Sequence, residues 1–435
     1  MDKLDFENAR VHSTAPCSRL CSAAYAIAAA IVLALPLARI AVSKLHGIFL
    51  LDLAAYCDVS RALFLGANPF PDNIDALTLP FGEHVPIVYP GQMLFFALPG
   101  CLWGNVVQIS YIVLNVAIVW FVTALTLVRA CGYAWRDIFR PGLCQLIFAI
   151  CASLIMSTWC VMQTMRIGQI PVMLAFCLYG MFWLPSLRRL RPVLFAFIAV
   201  AKYSVLTVFA PLLFFKGHRK LCLVAFAIFV VLSVSPVLCG NDLVEVYRGY
   251  SEAVVALFQP GGVNHYGQTG ITSCHLGFFN ADVANHILKV FALCPIVWLF
   301  WKERKTRGIS DTAMLLAFSL TMLVSYHSLH DYTLVLPLFV IRIFAFTKER
   351  NWRYLSITAA FPAYFIIPGR LIAKGASFIG RIPHIGSLVQ LSNPLWEKEC
   401  HDLFPLTAFV AIALALWSFH LYRHVRNPYV FDLYA

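Results

Sequence analysis

The sequence predicts an all-α polytopic membrane protein, a bundle of about 11–13 membrane segments. Three observations carry that prediction. The chain of 435 residues is 60% hydrophobic and only 12% charged, where a soluble domain carries about 25% charged residues. Its mean hydropathy is +0.77, and apolar runs of about 20 residues, long enough to cross a bilayer, recur along it. Lys and Arg fall in short clusters between those runs, the pattern of cytoplasmic loops. The net charge of +12 is therefore read as membrane orientation, with membrane lipids as partners and nucleic acid excluded.

Residues 1–20 read as a cytoplasmic tail, 21–426 as the membrane-embedded domain and 427–435 as a second cytoplasmic tail. The first apolar run, Cys21 to Ser43, is too long for the core of a cleavable signal and lacks a small-x-small cleavage site. It reads as an anchor that runs outward and delivers a first outer loop, 44–90. Within that loop, Ala54 to Leu65 predicts a short amphipathic helix. Leu53, Tyr56, Ala62, Leu63 and Leu65 are its apolar positions, expected to rest on the bilayer. Gly66 to Pro90 is rich in Pro and Asn and predicts irregular chain. Gly91 to Trp103 holds Pro99 and is too short to span, so it reads as re-entrant or interfacial.

Val106 to Val128 crosses inward to Arg129, Arg136 and Arg140. Leu143 to Met165 crosses outward and delivers Arg166 and Gln169, and Pro171 to Leu184 returns to Arg188, Arg189 and Arg191. Pro192 to Phe215 is flanked by basic residues at both ends, which predicts a hairpin bent near Lys202 rather than one crossing. An ionisable residue at that depth is a functional candidate. Leu221 to Cys239 runs outward to a segment, Gly240 to Ala281, that holds His265 and Gln268. Val283 to Trp301 returns, Thr312 to Tyr326 runs out to His327, His330, Asp331 and Tyr332, and Thr333 to Phe346 returns again. Tyr354 to Ile367 runs out to a last outer loop, 368–402, and Leu403 to Leu421 ends inside.

The 14 cysteines are scattered, with no C-x-x-C pair, which disfavours zinc and dithiol chemistry. Cys57, Cys274 and Cys400 fall in outer segments, where two of them are placed to pair.

This topology gathers Asp52, Asp58, Tyr89, Arg166, Gln169, Lys202, His265, Gln268, His327, His330 and Tyr332 on the outer side. The mixture suits transfer of a sugar from a lipid phosphate. A departing phosphate needs cations or donors, which Arg166, Lys202 and His330 supply. An acceptor hydroxyl needs a base, and Asp52 sits at the membrane mouth. Tyr56, Tyr89 and Tyr332 offer rings to sugars. Each residue has a plainer role as well. Arg166 can snorkel, Lys202 can hold a carbonyl at the bend, a histidine can sit satisfied at the interface, and Asp331 can cap the next helix. Two histidines three apart with no carboxylate pair beside them do not complete a metal site.

The order of these motifs resembles glycosyltransferase family 87. The family's first-loop Asp and Tyr match Asp52 and Tyr56; its Gly-x-x-Pro-Tyr element matches Gly66 to Phe70, with an extra small residue and Phe for Tyr. Its Tyr-Pro-Pro matches Tyr89-Pro90-Gly91, and its Gly-Gln matches Gly168-Gln169, with Pro171 near the place of an Asn. Its Lys-Pro matches Lys202-Tyr203 and its His-Tyr matches His330-Asp331-Tyr332, with an Asp inserted. The resemblance covers most of residues 45–345. It implies a GT-C type bundle and transfer of mannose or arabinose from a polyprenyl-phosphate donor, with Asp52 as base and no metal or other cofactor. The acceptor would be a glycan or glycolipid outside the bacterial inner membrane. Two other classes compete. A lipid-linked oligosaccharide transporter would need a charged cavity open to both sides, and an O-antigen-type polymerase or ligase a large arginine-rich outer loop.

Overall fold

A computed structural model describes residues 19–45, 51–68, 105–201, 219–258, 294–304, 308–324, 329–366, 404–425 and 429–432. In chain order its helices are α1 (Arg19–Leu45), α2 (Leu51–Phe64), α3 (Asn105–Ala130), α4 (Trp135–Phe139), α5 (Leu143–Ser157), α6 (Trp159–Ile167) and α7 (Pro171–Trp183). Then follow α8 (Arg191–Ala201), α9 (Arg219–Val234), α10 (Leu243–Phe258), α11 (Asp311–Val324), α12 (Leu336–Lys348), α13 (Trp352–Ile366) and α14 (Phe404–His424). Residues 294–303 are helical too. The protein is an all-α polytopic membrane protein, as its sequence predicts.

Where each helix sits follows from how its apolar residues are distributed. α7 is apolar around its whole circumference, and a helix of that kind belongs in the interior. Val172, Leu174, Leu178, Tyr179, Met181 and Trp183 are all buried. α11 is buried almost throughout, and α12 through most of its length. α3 and α8 pack on α7, α14 packs on α11, and α13 on α12. α1 and α9 lie at the perimeter. On α1, Ile27, Ile31 and Leu35 are exposed at every fourth residue, one stripe suited to lipid. On α9, Leu223, Phe226, Val230 and Val234 are exposed at spacings of three and four residues, again one stripe. α1, α3 and the stretch Arg219–Cys239 are each long and apolar enough to cross a membrane.

The run from Leu143 to Met165, expected as one span, is two helices that meet at 69°. The break is at Thr158, whose backbone is extended (φ −64°, ψ 146°). Its hydroxyl donates to Ile155 O at 2.6 Å and accepts from Val161 N at 3.4 Å. It closes α5 and caps α6 with one side chain. The turn at the Arg188–Arg191 cluster forms as expected, α7 and the stretch Pro185–Ala201 meeting at 111°. Arg191 Nε is buried there and donates to Met181 O at 2.8 Å. The proposed tip at Lys202, the segment Gly91–Trp103 and the last outer loop lie outside the described residues.

One element has no counterpart in the sequence reading. β1 (Gly308–Ser310) and β2 (Tyr429–Asp432) form an antiparallel ribbon, with Gly308 opposite Asp432. Four residues of the expected C-terminal tail thus fold back against the chain ahead of α11. Glu303 braces this end. It accepts from Ser310 N at 3.4 Å and from the Tyr422 hydroxyl at 3.2 Å. Next to β1, Asp311 at the start of α11 pairs with Arg342 of α12, both fully buried.

Candidate active site

α2 is the first wall of the site. Its buried residues Tyr56, Val59, Ser60 and Leu63 fall at i, i+3, i+4 and i+7, one face of a helix. The short helix expected over Ala54 to Leu65 forms as Leu51–Phe64, but its expected seat on the bilayer is corrected. Tyr56 and Leu63 pack on protein rather than on the bilayer, while Leu65 is exposed. Val59 and Leu63 meet Val246 of α10. Asn241 fixes the same contact, its Nδ2 donating to Leu63 O at 2.6 Å and to Pro236 O at 3.0 Å. α10 is itself well begun, because Asp242 Oδ1 accepts from Val244 N at 2.7 Å and Glu245 N at 3.2 Å. Cys57, also on α2, is disulfide-bonded. The other described cysteines form no disulfide, so its partner lies outside the described residues.

The second wall is the end of α6. Gly168 closes this helix in the left-handed conformation (φ 84°), its N–H donating to Thr164 O. The backbone of α2 presses directly on it. A Cβ at Gly168 would stand 2.7 Å from Leu53 Cβ and 2.8 Å from Leu53 N. Only glycine meets both demands, and the peptide that joins Asp52 to Leu53 lies against it. The next residue is gripped from two sides. Tyr56 OH donates to Gln169 Oε1 at 3.1 Å. Tyr111 of α3, buried, donates to Gln169 O and to Thr164 O, the latter at 3.2 Å. Pro171 then starts α7 at a position where no N–H is needed.

The third wall is a 3-10 turn, Leu329–Leu334, which packs on α6 and α7. Tyr179 of α7 donates to Leu334 O at 2.6 Å. Tyr332 is fully buried against Phe365, ring centroids 4.8 Å apart. Burial pushes its phenol up, so it stays protonated.

Of the residues singled out in the sequence, α2 carries Asp52, Tyr56 and Asp58, α6 carries Arg166, Gln169 follows it, and the 3-10 turn carries His330 and Tyr332. α6 packs on both of the others, α2 and the turn. Asp52 and Tyr56 are four apart on α2, and it is Leu53 and Tyr56 that reach Gly168 and Gln169. Asp58 is six from Asp52, about 120° away around the axis. Tyr56 and Tyr332 are packed into the protein, so in this state neither ring stands open on the outer surface. Lys202, Tyr89, His265, Gln268 and His327 lie outside the described residues. Sequence reasoning missed Tyr111 and Thr158, which position the Gly-Gln segment. Among the described residues, no three His, Cys, Asp or Glu side chains are gathered as a metal would need.

The family model described as Glycosyltransferase family 87 matches residues 88–327, more than half of the chain. The chain belongs to glycosyltransferase family 87. As a family 87 glycosyltransferase it carries Gly168 and Gln169 inside the matched span, whereas Asp52 and His330 lie on either side of it. α6 packs on both the helix that carries Asp52 and the turn that carries His330. No curated protein and no solved structure matches the chain.

Proposed function

We propose that this family 87 glycosyltransferase moves a hexosyl unit, mannosyl foremost, or a pentosyl unit from a polyprenyl-phosphate donor. The acceptor is an envelope glycan or glycolipid hydroxyl at the outer face of the bacterial inner membrane. One observation carries the reading. The peptide beside Asp52 is in contact with Gly168, and α6, which carries Arg166, packs on both α2 and the turn that carries His330. The disulfide at Cys57 supports an outward site, because such bonds persist in oxidising compartments. No nucleotide sugar is available on that side, which favours a lipid-borne donor.

Asp52 accepts the proton of the acceptor hydroxyl as its oxygen attacks the anomeric carbon from the face opposite the phosphate. The glycosidic C–O bond breaks with its electron pair leaving on the phosphate, and the anomeric configuration inverts. Arg166, Lys202 and His330 stabilise that negative charge. The reading needs no metal or cofactor. The test supplies purified full-length protein in nanodiscs with labelled polyprenyl-phosphate mannose, glucose or arabinose, and with the corresponding nucleotide sugars. Transfer from a lipid donor to envelope extract, with inversion, is expected. Transfer from nucleotide sugars alone contradicts the reading.

A further inference from the structure

We propose that one face of α6 recognises the hydroxyls of the transferred sugar, through Trp159 and Gln163. This deepens, and rests on, the lipid-donor reading above. Trp159 and Gln163 stand at i and i+4, so they share one face of α6, and Arg166 follows at i+7 in the sequence of the same helix. Two polar atoms of that face, Trp159 Nε1 and Gln163 Oε1, are buried and have no hydrogen-bond partner. A third such atom, Thr333 Oγ1, belongs to the 3-10 turn that packs against α6. The remaining examples among the described residues are the Asp311–Arg342 pair and the single atoms Asn115 Oδ1 and Gln145 Oε1. Proteins rarely bury polar atoms unpaired, and each instance asks for an explanation. Here three fall on the two elements that also carry Arg166 and His330.

The chemistry of the trio selects the occupant. Indole N–H only donates, the amide oxygen only accepts, and the Thr333 hydroxyl does both. A phosphate accepts only, so an orphan acceptor is no use to it. Vicinal sugar hydroxyls both donate and accept, and the Trp159 ring adds an apolar surface of the kind sugar faces stack on. Spacing fits as well. At about 1.5 Å per residue, Gln163 lies about 4.5 Å and Trp159 about 10 Å along the axis from Arg166. A sugar whose phosphate is held at Arg166 reaches along that length.

The experiment uses the full chain in nanodiscs, with sugar-free polyprenyl phosphate and polyprenyl-phosphate mannose, glucose and arabinose as probes. The tightest-bound sugar lipid is taken forward. Gln163→Leu deletes one orphan polar atom while keeping bulk, and Trp159→Phe deletes another while keeping an aromatic ring. Each is expected to weaken binding of the sugar lipid about tenfold, the weight of one hydrogen bond of roughly 1.4 kcal/mol. Each leaves binding of sugar-free polyprenyl phosphate unchanged. Gln163→Leu does not lower the melting temperature, because an unpaired atom contributes no bond to lose; a structural role predicts the opposite. Equal loss for both lipids, loss for neither, or a raised KM for the acceptor alone overturns the proposal and leaves the lipid-donor reading standing. A wild-type chain that binds none of the lipids overturns both.

Discussion

Gly168 is the position where backbone geometry and packing demand the same residue, and it separates the two effects cleanly from Gly240. Both have φ of 84°. A Cβ at Gly168 strikes Leu53 backbone and side chain, whereas a Cβ at Gly240 meets nothing within 4 Å. Gly240→Ala should cost only the left-handed penalty, about 1–2 kcal/mol. Gly168→Ala adds overpacking of about 1–3 kcal/mol, and it pushes α2 off the Gly-Gln segment, so transfer falls as well. Thermal melts and transfer assays on the two variants check this; equal penalties would show that the α2 contact is not tight. Gly168-Gln169 was legible as a motif. Its partners were not, because Tyr111 reads as one more aromatic inside an apolar span until Gln169 O is placed beside its hydroxyl.

Elements divide by the physics that marks them. α1 and α3 were legible because a membrane span is an uninterrupted apolar run closed by basic residues. The break between α5 and α6 was not, because a threonine within an apolar run is compatible with an unbroken helix. What decides is that its hydroxyl captures Val161 N. β1 is three residues long, too short for any alternation to show. α2 was legible as a helix but not in what it packs on, since a face that fits lipid also fits protein. The disulfide at Cys57 now gives α2 a test of its side. Peptide mapping without reduction should link Cys57 to an outer-segment cysteine, Cys274 or Cys400 foremost. A bond to Cys17, in the expected cytoplasmic tail, contradicts an outward α2. The pair joining α11 to α12 makes a second test. Asp311→Ala leaves Arg342 buried without its counter-charge, which should cost about 3–5 kcal/mol. The double variant Asp311→Leu with Arg342→Met should melt closer to wild type than either single change, since it removes both charges.

At the scale of the molecule, the fold does what no single motif does: α6, with the Gly-Gln at its end, meets both the first-loop helix and the late 3-10 turn. The order of motifs along the chain made the family legible. The meeting of α2, α6 and the 3-10 turn depends on packing between segments more than a hundred residues apart, and no local pattern encodes it. The central claim is that Asp52 accepts the acceptor's proton at that meeting point. Asp52 precedes Leu53, which touches Gly168, and Asp58 lies six residues further along α2, so the two carboxylates make a matched comparison. Asp52→Asn and Asp58→Asn are purified, shown to be folded by thermal melt, and assayed for transfer from the polyprenyl-phosphate sugar. Loss of general-base catalysis predicts a fall of about 10²–10⁴-fold in turnover for Asp52→Asn, with Asp58→Asn close to wild type. Near-normal turnover in Asp52→Asn contradicts the account, and a dead Asp58→Asn beside it moves the base to Asp58.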